Sequence, residues 1–273
     1  MKKLIFPSSN YLVAILGLCL SMMLLISCAT DFEKVRTSND PKLILAKANE
    51  YYQDKEWLSA QTLYELAIQF YRGKAEAEMI YFNYANTYYQ LGEYITASHY
   101  FKTFASTYSN STKREEAAFM SAYSEYKLSP NARLDQSYSK KAIENFQDFI
   151  NNNPQSNRVK ECNALIDEMR TKLELKAYEQ GVLYFEIGQY QSAVRSFELM
   201  LKEFPNAVQE EKARFLMLKS SFELAKNSVI DKRKERYEDT VALAKKSKDK
   251  FKNASYNNEA TDILNKSLSQ INK

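Results

Sequence analysis

Few residues of this chain belong to the types that carry out enzymatic chemistry. The sequence contains one histidine, His99, and three cysteines, of which only Cys162 lies beyond residue 28. One imidazole and so few thiols cannot build a usual zinc site, a Ser-His-Asp unit or a Cys-His unit. The neighbouring carboxylates Glu115 and Glu116 open a predicted helix, where acidic side chains offset the helix dipole. We therefore expect no catalytic residue, no metal site, no cofactor and no enzymatic activity.

A recurring set of amide and tyrosine side chains is the strongest candidate for a binding site. Two predicted helices carry asparagine, tyrosine and glutamine at matching positions, namely Asn49, Tyr52 and Gln53 in one and Asn86, Tyr89 and Gln90 in the other. An amide can hydrogen-bond the backbone of an extended peptide, and tyrosines can hold its aromatic side chains. The sequence thus predicts a peptide-binding groove. The alternative is a coincidental recurrence on a helix surface.

The helices that position these residues follow a repeating template. Residues 177–205 form two predicted amphipathic helices that meet at Gly188, with small residues at Gly181 and Ala193 and with Pro205 ending the second helix. The same arrangement of small and aromatic residues recurs around Ala60, Ala97 and Ala142. This spacing resembles the tetratricopeptide repeat (TPR), a helix–turn–helix unit. We predict an all-α, TPR-like superhelical solenoid of about five such repeats.

Two departures from regular repeat spacing are expected. In the third unit, a first helix near residues 117–128 is separated from Ala142 by residues 129–137, whose Pro130 and turn-forming residues predict a loop insertion. A fifth, degenerate unit pairs residues 208–226 with residues 231–251. An ordinary helical bundle would bury the same aromatic residues, so the solenoid interpretation depends on the recurrence of the template.

The N-terminal residues have the layout of a lipoprotein signal. Lys2 and Lys3 precede an apolar run over residues 11–26, as in a secretory signal. The sequence Leu-Ile-Ser-Cys that ends at Cys28 resembles the bacterial lipobox, which implies cleavage before the cysteine and its acylation. We predict a signal peptide over residues 1–27, lipidation at Cys28, and a tether over residues 28–40 that reaches ~40 Å if extended. A structural cysteine beside an ordinary signal peptide is the alternative.

Charge argues against nucleic acid as the main partner. Loss of the predicted signal removes Lys2 and Lys3, which leaves 36 basic and 34 acidic residues. A basic C-terminal segment contains Lys232, Arg233, Lys234, Arg236, Lys245, Lys246, Lys248, Lys250 and Lys252. Acidic residues are interleaved with these, so a solvated helix face is one interpretation, and a contact for an acidic partner or lipid headgroups is the other. Cys162 lies on an apolar stripe and is predicted to be buried.

Taken together, the lipobox, the tether and the irregular TPR-like units resemble the BamD-type lipoproteins of the bacterial outer-membrane β-barrel assembly machinery. The most similar stretches are ANEYYQDKEWLSAQTLYELAIQFY, KKAIENFQDFINNNPQS and AYEQGVLYFEIGQYQSAVRSFELMLKEFPNA. The resemblance implies a periplasmic scaffold anchored in the outer membrane. Repeats over residues 41–110 would receive the C-terminal peptides of unfolded barrel proteins, and repeats over residues 111–273 would bind the periplasmic domains of the insertase subunit.

One position departs from this family. Its members commonly have an arginine, used at the insertase contact, directly before the aromatic residue that corresponds to Phe197. Here Ser196 occupies that position, and Arg195 lies one residue earlier, about 100° around the helix. Arg195 is the candidate partner-binding residue that the resemblance offers.

Localisation and two further functions stay open at this stage. Ala29, in place of an aspartate after the lipidated cysteine, agrees with outer-membrane sorting, and the resemblance implies the periplasmic face. Asp31 and Glu33 leave a surface-exposure signal open. A SusD-like lipoprotein for glycan or nutrient capture also contains TPR units but is about twice as long. A TPR coordinator of envelope or peptidoglycan assembly would have much the same sequence.

Overall fold

The helices of this protein succeed one another in antiparallel pairs. The computed structural model describes residues 31–272, and within them residues 31–37 are helical. The helices that follow are α1 (Pro41–Gln53), α2 (Trp57–Tyr71), α3 (Ala77–Gln90), α4 (Tyr94–Thr107), α5 (Arg114–Lys127), α6 (Ser137–Asn152), α7 (Val159–Glu186), α8 (Tyr190–Glu203), α9 (Glu210–Lys226), α10 (Ile230–Ser247), a 3-10 turn (Lys248–Lys250) and α11 (Ala254–Ile271). The predicted all-α, TPR-like solenoid is confirmed: α1 to α10 make five helix–turn–helix pairs, and α11 follows them.

The chain divides into two compact units. The first unit contains the described residues up to Ser129 together with Lys141–Cys162, and the second contains Pro130–Lys140 and the residues from Asn163 onward. The loop insertion predicted over residues 129–137 is present between α5 and α6. Within it, Gln136 is buried and its amide nitrogen donates to the carbonyl oxygens of Asn131 and Leu134. The insertion is therefore an ordered loop.

The core of the first unit follows the predicted template. The small residues of the paired helices are fully buried: Ala48, Ala60, Ala85, Ala97, Ala122 and Ala142. One turn after the small residue of each second helix, a large ring fills the space, and Tyr64, Phe101 and Phe146 are all fully buried. Because only a small side chain leaves room for close helix contact, this alternation of small and large residues sets how the helices pack.

The second unit uses the same rule with a glycine in place of alanine. Gly181 on α7 faces Phe197 on α8, and a Cβ atom at Gly181 would lie 2.5 Å from the Phe197 ring. Ala193, Met200 and Leu218 are buried around this contact. The close approach predicted at Gly181 and Ala193 is confirmed.

The turns inside three of the pairs are built identically. Gly92 and Gly188 have positive φ values of 79° and 74°, and Lys55 occupies the matching turn with a φ of 61°. In each turn the residue at positive φ donates its amide hydrogen to the carbonyl three residues earlier, and the next residue donates to the carbonyl five residues earlier. Such bonds satisfy carbonyl groups that the end of a helix leaves without partners.

A glutamate on the first helix of four pairs contacts the loop that precedes the next pair or, for the fifth pair, the loop that precedes α11. Glu78 and Glu115 accept hydrogen bonds from the hydroxyls of Ser111 (2.5 Å) and Ser156 (2.6 Å). Glu174 and Glu211 accept from the backbone amides of Val208 (2.8 Å) and Asn253 (2.6 Å). We call these four residues the junction glutamates. Each lies seven positions before the residue at the close helix contact of its own helix, and these residues are Ala85, Ala122, Gly181 and Leu218. Within each unit they join a helix pair to the pair, or in the case of α11 to the helix, that follows it.

Two parts of the chain differ from the sequence-based expectation. Residues 31–37, expected to belong to an extended tether, are helical, and Val35 is buried against α1 and α2 while Phe32 packs edge-on to Tyr51 at 5.9 Å. Helix α11 was not expected, and it packs on α9 and α10 beyond the fifth pair. The predicted signal peptide and Cys28 lie outside the described residues. None of the helices within residues 31–272 is both long enough and apolar enough to cross a membrane.

Candidate peptide-binding surface

Helix α1 begins where the sequence predicts and presents the first three candidate residues. The Asp40 side chain caps it by accepting from the backbone amides of Lys42 (2.9 Å) and Leu43 (3.3 Å), and Pro41 follows at the first helical position. Ile44 and Ala48 form its buried face. Beside that face, Asn49 and Tyr52 are half-buried, whereas Gln53 is exposed at the end of the helix.

Asn49 is part of a hydrogen-bonded chain that crosses three helices. Its side-chain oxygen accepts from the hydroxyl of Tyr64 on α2 at 2.8 Å. The amide nitrogen of Asn83 on α3 donates to the same hydroxyl at 3.1 Å. Because the ring of Tyr64 is fully buried, these two amides satisfy a polar group that would otherwise be costly in the core. Asn49 therefore has a structural role in addition to any role in binding.

Asn86 and Tyr52 link the two helices that carry the candidate residues. The amide nitrogen of Asn86 on α3 donates to the hydroxyl of Tyr52 on α1. The Tyr52 ring also packs edge-on to Trp57 at 5.3 Å and to Tyr64 at 5.9 Å. The structure thus brings Tyr52 and Asn86 together. The amide nitrogen of Asn49 and the side-chain carbonyl oxygen of Asn86 form no hydrogen bond with a described residue, so both keep the capacity to bond a peptide backbone.

Tyr89 continues the surface on α3, and two residues that the sequence reasoning missed continue it on α5. Tyr89 packs edge-on to Tyr94 at 5.4 Å and lies 6.2 Å from Tyr123. Tyr123 in turn stacks on Tyr126 at 5.5 Å. Tyr123 and Tyr126 follow Asn86 and Tyr89 by 37 residues, the spacing that separates Asn86 from Asn49. Extending that register by one repeat would have found them.

Tyr52 and Tyr89 carry neutral hydroxyls at physiological pH. Burial raises the pKa of Tyr52 above its ordinary value, although the hydrogen bond from Asn86 acts in the opposite direction. Burial also raises the pKa of Tyr89 to about 12. Both residues therefore offer a ring face and a hydroxyl without charge, which suits an apolar or aromatic side chain attached to a hydrogen-bonding backbone. Peptide binding by the six candidate residues stays a prediction.

The other candidate residues lie apart from this surface. Arg195 is exposed on α8 and its guanidinium donates to Glu198 at 2.6 Å, while Ser196 is half-buried beside Phe197. His99 is exposed, and its ring lies 5.5 Å from Tyr100. Cys162 is fully buried as predicted, and burial raises the pKa of its thiol to about 11. Within residues 31–272, no group of three or more histidine, cysteine, aspartate or glutamate side chains could hold a metal ion.

Comparison with known proteins finds one family whose model matches most of the chain. Residues 37–236 match the model of the YfiO family, whose description is outer membrane lipoprotein. The matched range includes all of α1 to α9, and with them all six candidate residues of the peptide-binding surface. No curated protein matches the chain.

Proposed function

The chain belongs to the YfiO family of outer membrane lipoproteins, and from this premise we propose that it is a non-enzymatic scaffold of the outer-membrane β-barrel protein assembly complex. Its first unit binds the C-terminal peptides of unfolded barrel proteins. The observation that carries this proposal is the tyrosine and asparagine surface on α1 and α3, where the amide nitrogen of Asn49 and the side-chain carbonyl oxygen of Asn86 lie beside the half-buried rings of Tyr52 and Tyr89. A peptide that ends in aromatic residues is the ligand whose chemistry fits these groups.

The remaining parts of the proposal concern the anchor and the partner. An acylated Cys28 holds the protein at the periplasmic face of the outer membrane, since buried acyl chains provide stable attachment. Residues of the later repeats, with Arg195 as the candidate, bind the periplasmic domains of the insertase subunit. Arg195 supports this role because it is exposed and because, among residues 31–272, it forms an ion pair only with Glu198 of its own helix, which a partner carboxylate can replace.

Binding of a labelled peptide tests the groove directly. The probe is a fluorescent peptide with the last ten residues of an outer-membrane barrel protein, and the readout is fluorescence anisotropy. Exchange of both Asn49 and Asn86 for Ala removes two backbone partners, so we expect affinity to fall about tenfold or more, since each 1.4 kcal/mol is a factor of ten. The control variant is Asn157→Ala, which changes an exposed asparagine of the same unit outside this surface.

A second variant separates binding from stability. The Asn49 and Asn86 substitutions also remove internal hydrogen bonds, whereas Gln53 and Gln90 are exposed at the helix ends. The Gln53→Ala, Gln90→Ala double variant is expected to keep its melting temperature and to lose several-fold in affinity. If both double variants bind the peptide as the unaltered protein does, the groove hypothesis is wrong.

Affinity purification of the tagged, lipidated protein from gently solubilised envelopes tests the complex. Recovery of a large barrel protein with repeated periplasmic domains is the expected result. A TonB-dependent transporter in its place would indicate nutrient capture, and cell-wall synthases would indicate a coordinator of peptidoglycan assembly. Either outcome would contradict the proposed role.

A further inference from the structure

A cavity of about 650 Å³ lies along α7 in the second unit. Its wall includes Tyr178, Val182 and Leu183 from α7, Lys212 from α9 and Arg133 from the loop insertion. This volume is within the range of ligand-binding pockets, about 300–1,000 Å³. The cavity, here called the α7 cavity, lies on α7 and not on the helices that carry the predicted peptide groove. Its lining combines apolar side chains with several cationic groups.

Tyr178 departs from the repeat template at a position that is otherwise apolar. The first helix of each pair carries a large residue three positions before the residue at its close helix contact (Ala48, Ala85, Ala122, Gly181 or Leu218). The five large residues are Leu45, Phe82, Phe119, Tyr178 and Phe215. Only Tyr178 adds a hydroxyl. Its side chain is 8% exposed, and the hydroxyl oxygen is buried without a hydrogen-bond partner among the described residues. Burying an unpaired hydroxyl is unfavourable, so the presence of this one calls for a reason.

The nearest cation to this hydroxyl also has no acidic partner. In the earlier repeats, a cation from the start of the next repeat covers the equivalent ring: Lys113 lies 5.2 Å from the centroid of Phe82, and the Arg158 guanidinium 4.1 Å from that of Phe119. The ammonium of Lys212 lies 5.8 Å from the centroid of Tyr178. Lys212 is exposed and forms no ion pair with the residues that the structure describes. The Tyr178 hydroxyl lies close enough to this ammonium to raise the pKa of Lys212. Because an ammonium can only donate, the hydroxyl hydrogen of Tyr178 still lacks an acceptor, and a ligand oxygen between the two groups would supply one.

The charges of the cavity leave room for one added anion. Arg133 pairs with Glu179 at 3.4 Å, so these two side chains largely neutralise each other. Lys176 donates to the backbone carbonyl of Leu134 at 2.6 Å. The lining contains three cationic side chains, those of Arg133, Lys176 and Lys212, and two carboxylates, those of Glu179 and Glu186. The excess is one positive charge, and a carboxylate placed between an ammonium and a hydroxyl donor would receive two charge-assisted hydrogen bonds.

An apolar strip continues from the cavity along the same helix. Leu183 is 55% exposed and Ile187, one turn later on the same side, is 58% exposed. Val182 adjoins Leu183 in the cavity wall. Exposed apolar side chains that follow one another along a helix favour a protein ligand, because an extended segment can cover the strip and place a charged side chain in the cavity.

We infer that the α7 cavity binds an acidic segment of a protein partner. A glutamate or aspartate carboxylate of that segment lies between the Lys212 ammonium and the Tyr178 hydroxyl. The apolar residues beside it cover Val182, Leu183 and Ile187. This site is additional to the peptide groove of the first unit and does not depend on the function proposed for that groove.

Matched peptides test the inference. The probes are three fluorescein-labelled peptides: Gly-Ser-Leu-Glu-Phe-Ser-Gly with an amidated end, the same peptide with Gln for Glu, and the Gln peptide with a free terminal carboxylate. Anisotropy titration of the full chain is expected to show that the Glu peptide binds about tenfold more tightly than the amidated Gln peptide. Equal binding of these two, no binding of either, or preference for the free terminus would overturn the inference.

Variants of the protein locate the effect. Tyr178→Phe removes only the hydroxyl and installs the residue that three other repeats carry, so we expect an unchanged or higher melting temperature and a preference for the Glu peptide below about threefold. Lys212→Met should reduce the preference in the same way, while Lys232→Gln, an exposed lysine outside the cavity, should leave it intact. A lower melting temperature for Tyr178→Phe would mean that the hydroxyl serves the fold, and the inference would fail.

Discussion

At the residue scale, one turn position has a positive φ in three repeats but is not occupied by the same residue type. Gly92, Gly188 and Lys55 occupy the same place in three turns, and all have positive φ. Glycine adopts this conformation freely, whereas a residue with a Cβ atom is strained by roughly 1–2 kcal/mol. The first repeat therefore carries local strain that the second and fourth repeats avoid.

The exchange Lys55→Gly should stabilise the protein. Relief of the left-handed strain exceeds the cost of added freedom in the unfolded chain, so we expect a gain of about 1 kcal/mol in the free energy of unfolding. Urea denaturation measures it. Lys55→Ala is the matched control and should give little gain, because alanine keeps the Cβ atom. An equal gain from both variants would show that loss of the charge, and not relief of strain, is responsible.

At the element scale, the junction glutamates explain how consecutive helix pairs keep their positions within a unit. Each accepts a hydrogen bond from the loop before the next pair or, for Glu211, from the loop before α11, and the four distances lie between 2.5 and 2.8 Å. In a repeat protein, stability is the sum of repeats and their nearest-neighbour interfaces. A bond at the same place in successive interfaces contributes to each of them.

Loss of one junction glutamate should weaken its own interface. Glu78→Ala removes a charged acceptor from Ser111, and we expect the free energy of unfolding to fall by about 1 kcal/mol. Chemical denaturation provides the value, and hydrogen exchange should place the lost protection at the start of α5. Glu144→Ala, an exposed glutamate of the same unit, serves as the control. Similar losses from both variants would remove the special role of Glu78.

The sequence predicts these elements unevenly, and the reasons are physical. Close packing leaves room only for small side chains at Ala85, Ala97 and Gly181, so the repeat template is readable from residue types alone. The hydrogen bonds of Asn49 and Asn86 to tyrosines of neighbouring helices depend on the orientation of the side chains, which the spacing of residue types does not predict. The contacts of Glu78, Glu115 and Glu211 could not be predicted, because a glutamate in the first turn already suits the helix dipole. Glu174 lies in the interior of α7, where a glutamate is an ordinary helix residue.

At the scale of the whole molecule, the segment over residues 31–37 changes how the chain begins. A short polar stretch before a capped helix looks like a linker, and only its two apolar residues, Phe32 and Val35, indicate otherwise. Val35 is 6% exposed in the core that α1 and α2 share. Burial of a valine contributes roughly 1.5 kcal/mol or more. Together with the contact of Phe32, it helps to offset the entropy cost of ordering this two-turn helix.

The exchange Val35→Asp should release this segment while α1 to α4 stay folded. A buried, unpaired carboxylate is unfavourable, so the segment leaves its site. Hydrogen exchange is expected to show lost protection at residues 31–37 and retained protection in α2 and α3. Lys34→Asp, at an exposed position of the same segment, should leave protection as it is. Unchanged exchange in the Val35 variant would mean that the segment is held by other contacts.

The docked segment also limits how far a lipid anchor could let the protein travel. Only three peptide units separate Cys28 from Asp31, and they span at most about 11 Å when fully stretched. With an acyl chain on Cys28, this short connection would restrict the first unit to positions close to the bilayer surface. Partners embedded in the same membrane would then be met by lateral diffusion at a raised effective concentration, and even weak contacts would be occupied.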